Sequence, residues 1–110
     1  MIKGYGLTDI GKVRERNEDL FLLKIPYLAA VADGMGGHHG GLEASQIAIQ
    51  TLEENLTEVK NPSDQDIKGW MISAVEKANQ AIFSRSKEDP ALSGMGTTLS
   101  VAYLANQILY

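Results

Sequence analysis

Residues 27–41 read Tyr-Leu-Ala-Ala-Val-Ala-Asp-Gly-Met-Gly-Gly-His-His-Gly-Gly, and the fold turns on how this stretch is divided. Its first six residues are apolar and bounded by Pro26 and Asp33. A short apolar run fenced by turn signals is what a buried strand requires. Pro26 separates it from an earlier run, Leu20-Phe21-Leu22-Leu23, and suits a hairpin-like connection between two strands. On the other side, residues 34–41 hold five glycines in eight positions. Beyond them Leu42, Ser45, Ile49, Leu52 and Leu56 recur at the spacing of a helix with one apolar face.

Further toward the carboxyl end, Asn61-Pro62 punctuates the chain, and Ser63 with Asp66 three residues on resembles a capping box. A second helix follows, with the stripe Ile67, Met71, Ala74, Val75, Ala78 and Ile82. It is expected to fade near Lys87-Glu88-Asp89, because a proline at 90 disfavours helical geometry before it. Residues 97–104 are β-branched and apolar and read as a strand. Ala105-Asn106 reads as a turn and Gln107-Ile108-Leu109-Tyr110 as a returning strand. Toward the amino end, Tyr5, Leu7 and Thr8 suggest a short strand closed by Asp9-Ile10-Gly11, and residues 12–19 form a densely charged turn. Strands, two helices, then strands again predict an α+β fold with helices packed on a sheet. The chain stops inside an apolar run, which would leave an open strand edge. The expectation is therefore the front portion of a larger domain.

Composition narrows the function. The 110 residues contain no cysteine, which removes disulfides, thiolate metal sites and cysteine nucleophiles. A formal charge of −4 argues against a nucleic-acid backbone binder. Six apolar residues are far too few to span a membrane, and Met1-Ile2-Lys3-Gly4-Tyr5-Gly6 lacks the apolar segment of a signal peptide. The expected location is cytoplasmic.

Several residues could carry chemistry. Asp33, at the end of a central strand, would hold a carboxylate on a stiff frame, as a hard cation such as Mg2+ or Mn2+ prefers. On composition alone, Asp33-Gly34 reads first as a plain turn. Glu18-Asp19 stands at the start of the preceding strand. If the two strands are antiparallel neighbours, three carboxylates share one edge, and their repulsion calls for a cation. Alone, the acidic pair is a solvated strand end. Arg14 and Arg16 offer guanidinium forks suited to phosphate, or an ordinary charged surface. His38 and His39 are adjacent rather than four apart, so they do not form a helical ligand pair; one could act as a proton donor. The glycines fail as a nucleotide cradle: G-x-G-x-x-G from Gly34 meets His39, and a P-loop closing at Gly41 meets Leu42-Glu43 where Lys and Ser/Thr are needed.

Taken in order, Arg14-Glu15-Arg16-Asn17-Glu18-Asp19, Val31-Ala32-Asp33-Gly34-Met35-Gly36-Gly37-His38 and Gly94-Met95-Gly96-Thr97-Thr98-Leu99 resemble three successive signatures of the bacterial metal-dependent serine/threonine protein phosphatases, the type-2C or PPM family. The resemblance covers essentially the whole chain and makes residues 1–110 the amino-terminal portion of one phosphatase domain. It implies a four-layer α-β-β-α sandwich of antiparallel sheets with a binuclear Mg2+ or Mn2+ centre at one end. By similarity Asp33 bridges both ions, Gly34 offers its carbonyl, and Glu18 and Asp19 act through metal-bound waters. Arg14 rather than Arg16 would hold the substrate phosphate, and His38 rather than His39 would be the general acid. Met35 and the glycines would shape the loop, and Gly96-Thr97-Thr98 would be structural. The implied reaction is hydrolysis of phosphoserine or phosphothreonine in proteins by a water that two cations about 3.5–4 Å apart activate, without a phosphoenzyme. The partners implied are phosphoprotein substrates of a serine/threonine kinase, with no nucleic acid, and the complete protein is expected to be a monomer.

Two departures stand out. Gly41 is followed by Leu42, with Glu43 one place later than the family's Gly-Glu, which weakens a supporting role for that glutamate. The family's later Gly-Asp-Ser, Ser-Asp-Gly and Asp-Asn signatures are absent, so the isolated 110 residues are expected to be inactive. The alternative is a non-catalytic pseudophosphatase module that binds phosphoprotein, against which the intact Arg14, Glu18, Asp19 and Asp33 argue.

Overall fold

A computed structural model describes residues 5–6, 18–36 and 40–110. Strand β1 (Asp19–Lys24) and strand β2 (Leu28–Met35) form a hairpin whose turn holds Pro26, with Tyr27 N–H donating to the Lys24 carbonyl at 2.9 Å. Helix α1 (Gly40–Asn55) and helix α2 (Asp64–Glu88) follow, then a 3-10 turn (Pro90–Leu92), strand β3 (Gly96–Ala105) and the short strand β4 (Ile108–Leu109). The four strands lie side by side in the order β1-β2-β3-β4, all antiparallel. The expected first strand is a difference in part: Tyr5 stands outside any strand, while Leu7, Thr8 and residues 9–11 lie outside the described residues.

Local chemistry accounts for most boundaries. Ser63 caps α2, its hydroxyl accepting from Asp66 N–H at 3.1 Å. Asp89 ends that helix and caps the next turn by accepting from Ala91 N–H. The β3–β4 loop is Asn106-Gln107, one residue later than the sequence suggests, with φ of 53° and 63°. A two-residue hairpin matches strand twist when both positions are left-handed, and asparagine tolerates that conformation well.

Helices cover one face of the sheet. Period-two alternation sends Leu22, Leu28, Ala30, Ala32 and Tyr103 inward, and all of these but Ala32 cluster with Leu52, Leu56, Ile67 and Ala74. Tyr103 packs edge-on against Tyr27 at 5.8 Å, and its hydroxyl donates to the Thr57 carbonyl at 2.6 Å. The buried stripe of α1 runs through Gly41, Ala44, Ser45, Ala48 and Leu52, rotated from the one read in the sequence because glycine and alanine let the helix lie close to β2. Val75, assigned to the α2 stripe, is 44% exposed, whereas Ile67, Ala74 and Ala78 are buried. On the opposite sheet face Phe21 and Val31 stand open at 41% and 56%. The described residues thus supply a sheet with helices on one side, which is part of the domain rather than the whole sandwich.

Candidate metal centre

The β1–β2 ladder sets Asp19 opposite Asp33, with Phe21 opposite Val31 next along. On the other flank of β2, Thr98 stands opposite Asp33. Asp19, Asp33 and Thr98 therefore share one end of the open face, around a shallow cavity of about 260 Å³ also lined by Leu20, Phe21, Val31 and Ala32. Asp33 is not the last strand residue: β2 continues through Gly34 and Met35, so its carboxylate projects from a paired strand, and the plain-turn reading does not hold. Its backbone is fastened to β3 by Thr98, whose Oγ1 accepts from Asp33 N–H at 3.2 Å and lies 3.4 Å from the Asp33 carbonyl.

Glu18 behaves differently. Its carboxylate lies against the first turn of α1, in the space a side chain on Gly41 would need. The ladder thus pairs Asp19 with Asp33 while Glu18 comes in from the helix side, and among the described residues no group of three histidine, aspartate or glutamate side chains forms a ready ligand set. Glu18 directly precedes β1, and consecutive residues of an extended chain point opposite ways. Gly34 is required for a related reason: a Cβ there would overlap the Gly41 carbonyl and come within 2.5 Å of Ser45 Oγ, so only glycine lets β2 pass this close to α1. Gly36, with φ of 142°, marks the end of the strand in backbone that side chains rarely adopt.

Arg14, Arg16, His38 and His39 lie outside the described residues. Glu43 is committed elsewhere, accepting from Arg85 Nε at 2.6 Å and tying α1 to α2. That hydrogen bond, with the charge of Glu43, holds the Arg85 guanidinium above its ordinary pKa.

Residues 15–109 match the family described as Protein phosphatase 2C. The chain belongs to the protein phosphatase 2C family. This phosphatase 2C chain is 36% identical over 103 residues to the serine/threonine phosphatase stp of Listeria monocytogenes serotype 4b, covering 89% of the chain and 41% of the relative. It is 34% identical over 109 residues to protein phosphatase PhpP of Streptococcus pneumoniae, covering 94% and 44%. The solved Mycobacterium tuberculosis serine/threonine phosphatase PstP/Ppp superposes with a TM-score of 0.81 at 38% identity, over 92% of this chain and 41% of that one. A second solved structure, the catalytic domain of PstP in complex with two manganese ions, gives 0.78 at 39% identity, over 89% and 41%. The phosphatase 2C chain therefore spans less than half the length of these relatives.

Ser45 and Thr97 belong near this end of the sheet in a way the sequence reading missed, placing Ser45 in an apolar stripe. The signal was available: a hydroxyl at a helix position otherwise occupied by apolar side chains must find partners once buried. Among the described residues no helix is long and apolar enough to cross a membrane.

Proposed function

We propose that the complete protein is a metal-dependent serine/threonine protein phosphatase of which these residues form the amino-terminal part, acting as a monomer in the cytoplasm on substrates of a serine/threonine kinase. The observation that carries the reading is the pairing of Asp19 with Asp33 on one sheet face. Like charges directly opposite on a sheet are unfavourable, and an all-oxygen donor set on a rigid strand suits Mg2+ or Mn2+. The two manganese ions of the solved PstP catalytic domain support the same assignment.

Asp33 would hold both ions with its carboxylate and the Gly34 carbonyl beside it, while Asp19 and Glu18 would act through intervening water. Bound there, two divalent ions supply charge neutralisation and a water acidic enough to be a nucleophile near neutral pH. Arg14 would grip the substrate phosphate with its planar fork of donors. His38 would pass a proton to the departing serine or threonine oxygen. The described residues offer too few ligands for a complete centre, so the 110-residue polypeptide alone is expected to be inactive.

The test is hydrolysis of a phosphothreonine peptide by the complete protein with Mn2+, with a chelator, and with Asp33→Asn. Activity that needs the metal and falls by orders of magnitude in the variant supports the reading. Turnover indifferent to both would overturn it, and phosphopeptide binding without turnover would point to the pseudophosphatase module.

A further inference from the structure

The Ser45 side chain is fully buried and touches its own helix and two other parts of the fold. Its Oγ lies 2.7 Å from the Glu18 carbonyl, 3.0 Å from the Gly41 carbonyl and 3.3 Å from Thr97 Oγ1. A serine hydroxyl has one proton to give. The shortest contact assigns it to Glu18, just before β1. Thr97 Oγ1 has its own acceptor in the Thr98 carbonyl at 2.8 Å. The Glu18 carbonyl also accepts from Gly34 N–H at 3.2 Å, so the peptide joining Glu18 to Asp19 is held from α1 and from β2 together. That peptide aims both acidic side chains: Asp19 toward Asp33 on the open face, Glu18 toward Gly41 on the helix side.

We infer that Ser45 is a positioning residue for the metal centre, its hydroxyl fixing the Glu18–Asp19 peptide so that the two carboxylates are pre-set for divalent cations. The inference rests on the metal reading proposed above. Gly34 completes the arrangement, since a side chain there would press on Ser45 Oγ and push the hydroxyl off Glu18. A serine that merely filled space would not need the carbonyl of a residue 27 positions away.

Calorimetric titration of the metal-free complete protein with Mn2+ tests this on the wild type, Ser45→Ala, Asp33→Asn and Ser86→Ala. Ser86 makes a bond of similar kind, Oγ to the Phe83 carbonyl at 2.7 Å, remote from the site, and serves as control. Loss of a group that orients a metal ligand commonly weakens metal affinity at least tenfold. The expected result is an Mn2+ dissociation constant raised roughly tenfold in Ser45→Ala at a little-changed metal-free Tm, with Ser86→Ala unchanged. Wild-type affinity in Ser45→Ala, with binding lost in Asp33→Asn, overturns the role of Ser45 alone. Wild-type affinity in Asp33→Asn overturns the metal reading itself. Should Ser45→Ala not fold, Ser45→Cys, which is similar in shape but slightly larger and donates weakly, is titrated in its place: weakened Mn2+ binding supports the inference and unchanged binding overturns it.

Discussion

Asp19 and Asp33 face each other across neighbouring antiparallel strands, with the Thr98 hydroxyl bonded to the Asp33 backbone from the third strand. Two acidic side chains are thereby fixed at one end of a sheet by backbone pairing, before any loop contributes. Replacing Asp19 by Asn should shrink the rise in Tm that Mn2+ gives the complete protein, because the stabilisation follows the affinity for the ion. Thermal scans with and without Mn2+ measure it, and an undiminished rise would separate Asp19 from the metal.

Gly34 and Gly41 should respond differently to alanine. At Gly34 the new methyl meets the Gly41 backbone carbonyl, which cannot swing aside, so Gly34→Ala should cost about 1–3 kcal/mol as overpacking does. At Gly41 the two nearest obstacles belong to the flexible end of Glu18, with the Gly34 backbone carbon next at 3.0 Å. Gly41→Ala should therefore cost less stability than Gly34→Ala while displacing the Glu18 carboxylate and weakening Mn2+ binding. Denaturant unfolding and metal titration on the two variants resolve the contrast.

The sheet face away from the helices leaves Phe21 and Val31 partly exposed, with Gly6 against the Phe21 ring, and an apolar surface of this kind needs a cover. In the complete protein Val31→Asp should destabilise by about 1–3 kcal/mol, as placing a polar group in an apolar contact does. A Tm equal to that of the wild type would mean that nothing packs there.

Burial raises the pKa of Tyr103 above its ordinary value. The folded state therefore favours the neutral phenol. The stabilisation is fully present below the unfolded pKa and is lost as pH rises through the folded one. Tyr103→Phe removes the hydrogen bond to the Thr57 carbonyl and should cost about 1 kcal/mol at neutral pH. Its deficit against wild type should narrow above about pH 10. Paired unfolding curves at neutral and alkaline pH read the difference.

Much of this was legible in the chain itself. Apolar runs broken by Pro26, the Ser63 cap and the stop before Pro90 each act through bonds within a few residues, so the hairpin, both helices and the order strand-helix-helix-strand followed from local chemistry. Asp33 could be singled out because it stands between an apolar run and a glycine cluster. The sequence also marked Glu18 and Asp19 as a pair.

What it could not say was which of the pair joins Asp33. That depends on register, and a shift of one residue would exchange the faces of every side chain on β1. Nor could it reveal that Ser45, assigned to an apolar stripe, reaches back 27 residues to the Glu18 carbonyl, or that Glu43 is held by Arg85 on α2. Local patterns determined the elements and named the acids; contacts between residues distant in the chain, created only when α1 settles into the space left by Gly34, decided where those acids point.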